Sequence, residues 1–126
     1  MFKMMRSRSG FTLVELIVVI VIVGILAAVA APMMTANVNR AMRTEAVAAL
    51  GSIRTAERLY RSEHATYTGF PPDLAPYLLW ADLNGQYYQT AEYTIPVAGT
   101  NVFAAQAADA TAGTVTIDHD GIITGA

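Results

Sequence analysis

An unbroken apolar segment near the N-terminus constrains this chain more than any other feature. Residues 11–34 read FTLVELIVVIVIVGILAAVAAPMM and carry a single charge, Glu15. From Leu16 to Ala31 no residue is strongly polar. A membrane-spanning helix needs about 20 apolar residues. The segment is therefore just long enough to cross a bilayer as a helix.

The ten residues before this segment, MFKMMRSRSG, are polar and basic. Three interpretations fit such a start. The first is a cleaved secretory signal with Ala28-Val29-Ala30 as its A-x-A cleavage pattern, the second is a plain membrane anchor, and the third is a leader that is cut before the apolar run so that the run is kept. Hydropathy alone does not separate them. Orientation is weakly indicated, because Arg40 and Arg43 follow the run closely and offset the basic residues before it.

Glu15 favours the third interpretation. A carboxylate inside a spanning helix costs free energy, most at the bilayer centre and less near its edge, and a signal peptide or simple anchor gains nothing from it. If the chain is cut after Gly10, Phe11 acquires a free α-amine, which is a cation at neutral pH. A neighbouring copy then brings an amine to Glu15, and the pair sets the axial register by penalising any stagger that leaves a buried charge unpaired.

The order Gly10-Phe11-Thr12-Leu13-Val14-Glu15, followed by the apolar run, resembles the N-terminal motif of bacterial type IV pilins and type II secretion pseudopilins. The resemblance is strong over roughly residues 5–35. It implies that residues 1–10 are a prepilin leader cleaved after Gly10, that Phe11 becomes the N-methylated terminus, and that Glu15 is the assembly glutamate.

The resemblance also implies a function and partners. The chain is expected to be a structural subunit of a type IV pilus-like filament for adhesion, motility or DNA uptake, held in the inner membrane and then polymerised into an extracellular pilus. The implied partners are further copies of the chain, a prepilin peptidase, an inner-membrane assembly platform, and membrane lipid before assembly. A pseudopilin in a periplasmic pseudopilus of a type II secretion system is the alternative. A solitary membrane-anchored binding protein is an alternative from a different class.

The helical pattern continues beyond the apolar run, so we predict one helix from about Phe11 to about Arg61. Residues 11–34 form its transmembrane and filament-core part, and residues 35–61 an amphipathic continuation. Apolar or small residues recur along one stripe at Val38, Met42, Ala46, Ala49, Ile53, Ala56 and Tyr60. The opposite face carries Asn39, Arg43, Glu45, Arg54, Glu57, Arg58 and Arg61.

Two further features of this helix are predicted from single residues. Glu57 and Arg61 have the i, i+4 spacing of a helical ion pair. Pro32 cannot donate to the carbonyl four residues back and collides with it, so we expect a kink near Ala28, with Gly24 as a second point of weakness. The resemblance implies that the helix between Gly24 and Pro32 loosens on assembly.

Residues 62–126 read as a globular pilin head. We predict a loop from His64 to Pro76, a short helical turn within residues 73–83, and a turn at Asn84-Gly85. Strand-like runs follow at residues 87–90, 92–96, 101–106, 114–118 and 121–124. The predicted fold class is α+β: a long kinked N-terminal helix packed on a small antiparallel sheet of three or four strands, as in the pilin fold.

The composition of the head argues against several kinds of site. No Lys or Arg follows Arg61, and the seven acidic residues there make a nucleic-acid groove unexpected. The chain has no cysteine, which excludes a thiol nucleophile, a disulfide and a thiolate metal site. No nucleophile, phosphate-loop or HExxH motif accompanies His64 or His119. We therefore predict that the chain is not an enzyme and assign it no catalytic residue and no cofactor.

The remaining chemistry-bearing residues have simpler structural interpretations. Asp118 and Asp120 are weak candidates for calcium ligands, but calcium takes six to eight oxygens, and Asp118-His119-Asp120-Gly121 suits a tight turn. The aromatic residues of the head suggest an electron path, a carbohydrate platform or a DNA-stacking surface. We interpret them instead as core, with tyrosine rings buried and hydroxyls in water. They are Tyr60, Tyr67, Phe70, Tyr77, Trp80, Tyr87, Tyr88, Tyr93 and Phe103.

Overall fold

A computed structural model describes residues 10–69, 71–110 and 113–125. Helix α1 spans Leu13–His64. Short 3₁₀ helices follow at Pro71–Leu74, Trp80–Leu83 and Thr90–Glu92, and then come strands β1 (Tyr93–Ala98), β2 (Phe103–Asp109), β3 (Gly113–Asp118) and β4 (Ile123–Thr124). The strands form one antiparallel sheet in the order β1-β2-β3-β4. The predicted α+β class is confirmed, with four strands.

The described chain divides into two compact units at Asn37 and Val38, and α1 contributes to both. In the first unit, α1 continues without interruption through Gly24 and Pro32. Its side chains from Leu13 to Asn37 are exposed. The kink and its loosening on assembly stay predictions.

In the second unit, α1 buries one face against the sheet. Its buried residues are Met42, Ala46, Leu50, Ile53, Ala56 and Glu57. The predicted apolar stripe is confirmed at Met42, Ala46, Ile53 and Ala56. Leu50 is also buried, although the predicted stripe does not include it. Glu57, placed on the polar face from its spacing, is fully buried.

Helix α1 ends at His64, three residues later than predicted, and so takes the first residue of the predicted loop. The end follows from the backbone of Ala65, which adopts a left-handed conformation with φ of 58° and donates its N–H to the carbonyl of Arg61 at 2.8 Å. Such a residue terminates a helix by satisfying its last carbonyls. The ring of His64 stacks on the ring of Tyr60, with the ring centroids 4.1 Å apart. This contact stabilises the last turn of α1.

Alternation of buried and exposed residues places one face of the sheet in the core. Phe103, Ala105 and Ala107 point inward from β2, and Val115 and Ile117 from β3. The two inward alanines of the central strand are fully buried. Small side chains there leave room for α1 to lie close to the sheet.

Strand β1 forms an edge of the sheet and is irregular. Its pairing with β2 shifts by one residue between Thr94 and Val97. Pro96 lies in this bulge and has no N–H to donate. The opposite edge, β4, has only two residues.

The predicted strand at residues 87–90 is wrong, and Glu45 explains why. Its carboxylate accepts three consecutive backbone N–H groups, from Gln86 at 3.0 Å, Tyr87 at 2.9 Å and Tyr88 at 2.7 Å. These N–H groups point at one acceptor on the helix, so they are not available for a strand ladder. Partial burial raises the pKa of Glu45, but the three donors outweigh it and hold the pKa below its ordinary value.

Gly85 makes this contact possible. A β-carbon at Gly85 would overlap the carboxylate of Glu45. The turn predicted at Asn84-Gly85 is wrong by two residues, because the bend lies at Gln86 and Tyr87. Glycine at position 85 is explained by the close approach of a side chain rather than by a special backbone angle.

The interpretation of the aromatic residues as core is confirmed for most of them. Tyr67, Tyr88, Tyr93 and Phe103 are buried, and Tyr60, Tyr77, Trp80 and Tyr87 pack partly buried against the same core. Phe70 lies outside the described residues. The expectation of wet hydroxyls is wrong for Tyr88 and Tyr93, because both hydroxyl oxygens are buried without a hydrogen-bond partner in the described part of the chain.

Gly85→Ala should destabilise the head, because its methyl group displaces the Glu45 carboxylate from three backbone donors. We expect a loss of about 2 kcal/mol in the free energy of unfolding, measured by chemical unfolding of the full chain in detergent. Gly99→Ala is the matched control, since a β-carbon at Gly99 meets no atom within 4 Å. Equal stability of the two variants would contradict this account of Gly85.

Glu57 should make the stability of the head depend on pH. Its burial and the nearby Asp73 raise its pKa to about 7, against the opposing effect of the Thr68 N–H, which donates to Glu57 Oε2 at 3.0 Å. The stabilisation is complete below the unfolded pKa of about 4.5 and is lost as pH rises through about 7. The loss is on the order of 3 kcal/mol.

Unfolding of the full chain in detergent between pH 4.5 and 8 measures this loss. Glu57→Gln should remove most of the dependence and make the head more stable at pH 8 than the parent chain. Asp82→Asn controls for the loss of one carboxyl. An unchanged pH profile in Glu57→Gln would exclude Glu57 as its source.

Candidate assembly site

The exposed apolar surface of α1 is the most unusual feature of the first unit. Within the described residues, this helix is long and apolar enough to cross a membrane, and none of its most apolar stretch is buried within the chain. Phe11 is 81% exposed, and exposure of the large apolar side chains continues to Met34, which is 72% exposed. Apolar residues surround the whole circumference rather than one stripe. Such a surface must be covered by lipid or by other protein.

The start of α1 is fixed by a reciprocal pair of side chains. Oε2 of Glu15 accepts the backbone N–H of Thr12 and the hydroxyl of Thr12, each at 2.9 Å. The backbone N–H of Glu15 donates to Oγ1 of Thr12 at 3.2 Å. Thr12-Leu13-Val14-Glu15 is thus a capping box, in which each end of the motif satisfies a backbone donor of the other.

This cap corrects the expectation that Glu15 is useful only between copies. Glu15 also stabilises the first turn of its own helix, where an acidic group is favourable to the helix dipole. The sequence signal for this role is the Thr-x-x-Glu spacing of Thr12 and Glu15, which the charge of Glu15 alone does not reveal. Both Thr12 bonds use Oε2, so Oε1 of Glu15 has no hydrogen bond among the described residues.

The other predicted site residues of the helix lie on the same exposed surface. Gly10 precedes the helix and is exposed. Gly24 lies within it, and a β-carbon there would meet no atom of the chain within 4 Å. Intramolecular packing therefore gives no reason for glycine at this position.

The turn predicted at residues 118–121 is confirmed. The backbone N–H of Gly121 donates to the carbonyl of Asp118 at 3.0 Å, and Gly121 adopts a φ of 90°. Oδ1 of Asp118 accepts the N–H of Ile122 at 2.8 Å. The possible ligand atoms of Asp118, His119 and Asp120 lie within 4.8 Å of one another, but the turn already accounts for Asp118.

The helical ion pair predicted between Glu57 and Arg61 is wrong. Glu57 turns inward to the Thr68 N–H. Arg61 donates to the hydroxyl of Tyr67 and to Oδ1 of Asn101, each at 3.2 Å. Tertiary hydrogen bonds outweigh the few tenths of a kcal/mol that such a pair supplies.

The N-terminal residues of this chain match a known motif profile, and the chain is similar to several known proteins. The profile of the prokaryotic N-terminal methylation motif matches residues 5–31, which include Gly10, Phe11, Glu15 and Gly24. The fimbrial protein EcpC of Eikenella corrodens is 37% identical over 96 residues, which are 76% of this chain and 60% of EcpC.

Two other relatives align over about half of this chain. The type II secretion system core protein G of Vibrio cholerae is 37% identical over 65 residues, 52% of this chain and 44% of that protein. The type IV major pilin protein PilA of Myxococcus xanthus is 39% identical over 69 residues, 55% of this chain and 31% of that protein. The chain thus spans between about a third and three-fifths of the length of these relatives.

The capping box predicts a local effect of Thr12. Thr12→Val keeps the backbone N–H but removes the hydroxyl that takes part in two of the three bonds. We expect amide hydrogen exchange at residues 14–16 to become at least threefold faster in detergent-held chain. Thr35→Val is the matched control, since Thr35 bonds only the Ala31 carbonyl within the helix. Equal exchange in both variants would show that Thr12 does not cap the helix.

Proposed function

We propose that this chain, a homologue of type IV pilins and type II secretion pseudopilins that carries their N-terminal methylation motif, is a structural subunit of a pilus-like filament. The observation that carries the proposal is the exposed apolar surface of the first half of α1, which the described chain does not cover. Gly10 and Phe11 precede this helix, and Glu15 lies in its first turn. A subunit of this kind serves adhesion, motility or DNA uptake from the cell surface.

The proposed mechanism exchanges lipid for protein around α1. Before assembly, residues 11–34 cross the inner membrane, with lipid covering the apolar surface. A prepilin peptidase cuts after Gly10, and the amine of Phe11 is methylated. An assembly platform then moves the helix out of the membrane into a bundle of copies. In this account the chain is the substrate of processing enzymes and not itself a catalyst.

The capping box refines how copies recognise one another. Glu15 keeps Oε2 on Thr12 while the unbonded Oε1 accepts the amine of Phe11 from an adjacent copy. The pair neutralises two charges in an apolar bundle, where leaving either one alone is costly. Helix capping and subunit register thus use different oxygens of one carboxylate.

A pseudopilus of a type II secretion system is the second candidate. The alignment with core protein G of Vibrio cholerae favours it, since identity there equals the 37% shared with EcpC. Both candidates place the same helix in a filament core. They differ in whether the filament crosses the outer membrane to the cell surface or stays in the periplasm.

Charge and capping at the helix start can be separated by two variants. Glu15→Gln keeps an oxygen that can accept from Thr12 but removes the charge, so we expect at least a tenfold loss of sheared filaments while the chain stays in the membrane. Thr12→Val weakens the cap and leaves the charge, so filaments should persist. Normal assembly of Glu15→Gln would refute the pairing with Phe11. If neither the parent chain nor Glu15→Gln forms filaments, a solitary membrane-anchored binding protein is favoured instead.

N-terminal sequencing of the assembled material tests processing directly. We expect N-methyl-phenylalanine at Phe11 in fibres seen by electron microscopy. A terminus at Ala31 would instead indicate a secretory signal cut after the Ala28-Val29-Ala30 pattern. Fibres in sheared surface material support a pilus, and processed chain confined to the periplasm supports a pseudopilus.

A further inference from the structure

We propose that a notch at the C-terminal end of α1, lined by Arg58, Arg61, Ser62 and Tyr67, is a binding site for an oxyanion, either a carboxylate or a phosphate. The notch is a cavity of about 310 Å³ on the head. It contains two of the five arginines of α1, and no Lys or Arg follows them in the sequence. The inference is independent of the proposed filament.

Arg61 is held in place before any ligand arrives. Its Nη1 donates to the hydroxyl of Tyr67 and its Nη2 to Oδ1 of Asn101, each at 3.2 Å. Its guanidinium carbon lies 5.0 Å from the centre of the Tyr67 ring. A guanidinium has five N–H donors, so these contacts fix its orientation and leave donors for a ligand. A fixed donor loses little entropy on binding.

Tyr67 adds a donor that the described structure does not use. Its ring is buried against Phe103, with the ring centroids 4.8 Å apart. Because arginine only donates, the Tyr67 oxygen acts as acceptor toward Arg61. The hydroxyl proton then needs an acceptor of its own, and the described residues supply none. An oxyanion in the notch would accept it.

Arg58 is the second cation and has no side-chain partner among the described residues. The single ion pair between side chains in the described ranges joins His119 and Asp120. The two carboxylates nearest to Arg58 in sequence are engaged elsewhere, Glu57 with the Thr68 N–H and Glu63 with the hydroxyl of Tyr77. No carboxylate of the described residues therefore forms an ion pair with Arg58 or Arg61.

The charge at the end of the helix explains the position of Arg61 but not that of Arg58. Arg61 lies in the last turn of α1, where a cation offsets the partial negative charge of the helix end. Arg58 lies before that turn. Arg58 and Arg61 line the same notch as the Tyr67 side chain, and arginine guanidinium groups together with a hydroxyl donor are groups that bind carboxylate and phosphate oxygens.

Two sources of the oxyanion have the same chemistry. One is free or polymer-bound phosphate in the surroundings of the cell. The other is a carboxylate of a second copy, for which Asp82 is suited. It is exposed, and its carboxylate, alone among the acidic side chains of the described ranges, has no hydrogen bond or ion pair.

The site is tested by titrating inorganic phosphate into the full chain in a non-ionic detergent, with NMR detection of arginine side-chain N–H groups. We expect saturable shifts at Arg58 and Arg61 at roughly millimolar phosphate, and no such shift in chloride at equal ionic strength. Arg58→Gln should weaken the response of Arg61 at least tenfold. Arg40→Gln, which removes an exposed arginine outside the notch, should not change it.

A response that follows ionic strength alone, or that is equal at Arg40, would overturn the proposal. The backbone spectrum of Arg58→Gln checks that the head remains folded. If that variant is misfolded, the comparison of phosphate with chloride in the parent chain decides the question by itself.

A second titration distinguishes the two sources. Without phosphate, the Arg58 and Arg61 signals should move with protein concentration if a second copy supplies the carboxylate, and Asp82→Asn should abolish that movement. If phosphate is the natural ligand, the signals stay constant with protein concentration in both chains while the phosphate response remains.

Discussion

The apolar surface of the first half of α1 is the constraint on which the rest of the molecule depends. A chain of this size cannot bury that surface and also build a head, so the head takes its core from the second half of the same helix. The consequence is a division of one helix into two environments. The apolar side chains up to Met34 are exposed, whereas Met42 and later residues of one helix face are buried in the core of the head.

Polar contacts add to the apolar packing that joins the second half of α1 to the rest of the head. Glu45 accepts three backbone N–H groups, Glu57 accepts the Thr68 N–H, and Arg54 donates to the carbonyl of His119 at 3.1 Å. Each contact joins the helix to a segment without regular secondary structure. Loops that would be loose on a small sheet are thereby fixed to a rigid element.

Local patterns in the sequence predicted the helix, most of its buried stripe, an antiparallel sheet of three or four strands and the Asp118–Gly121 turn. They failed where a distant partner overrides a local preference. Glu57 has a spacing typical of a polar face and is buried, because a backbone donor eleven residues away meets it. The segment at residues 87–90 reads as a strand and is not one, because Glu45 lies more than forty residues earlier. The capping role of Glu15, by contrast, was readable from Thr12 and was overlooked.

The irregular edges of the sheet have a consequence for molecules crowded together. An open edge with free N–H and C=O groups invites a neighbouring sheet to join it, which leads to uncontrolled aggregation. Here the bulge and Pro96 disrupt one border, and the other is only two residues long. The sheet therefore offers a neighbouring head no long, regular edge for strand addition, even where many heads are crowded together.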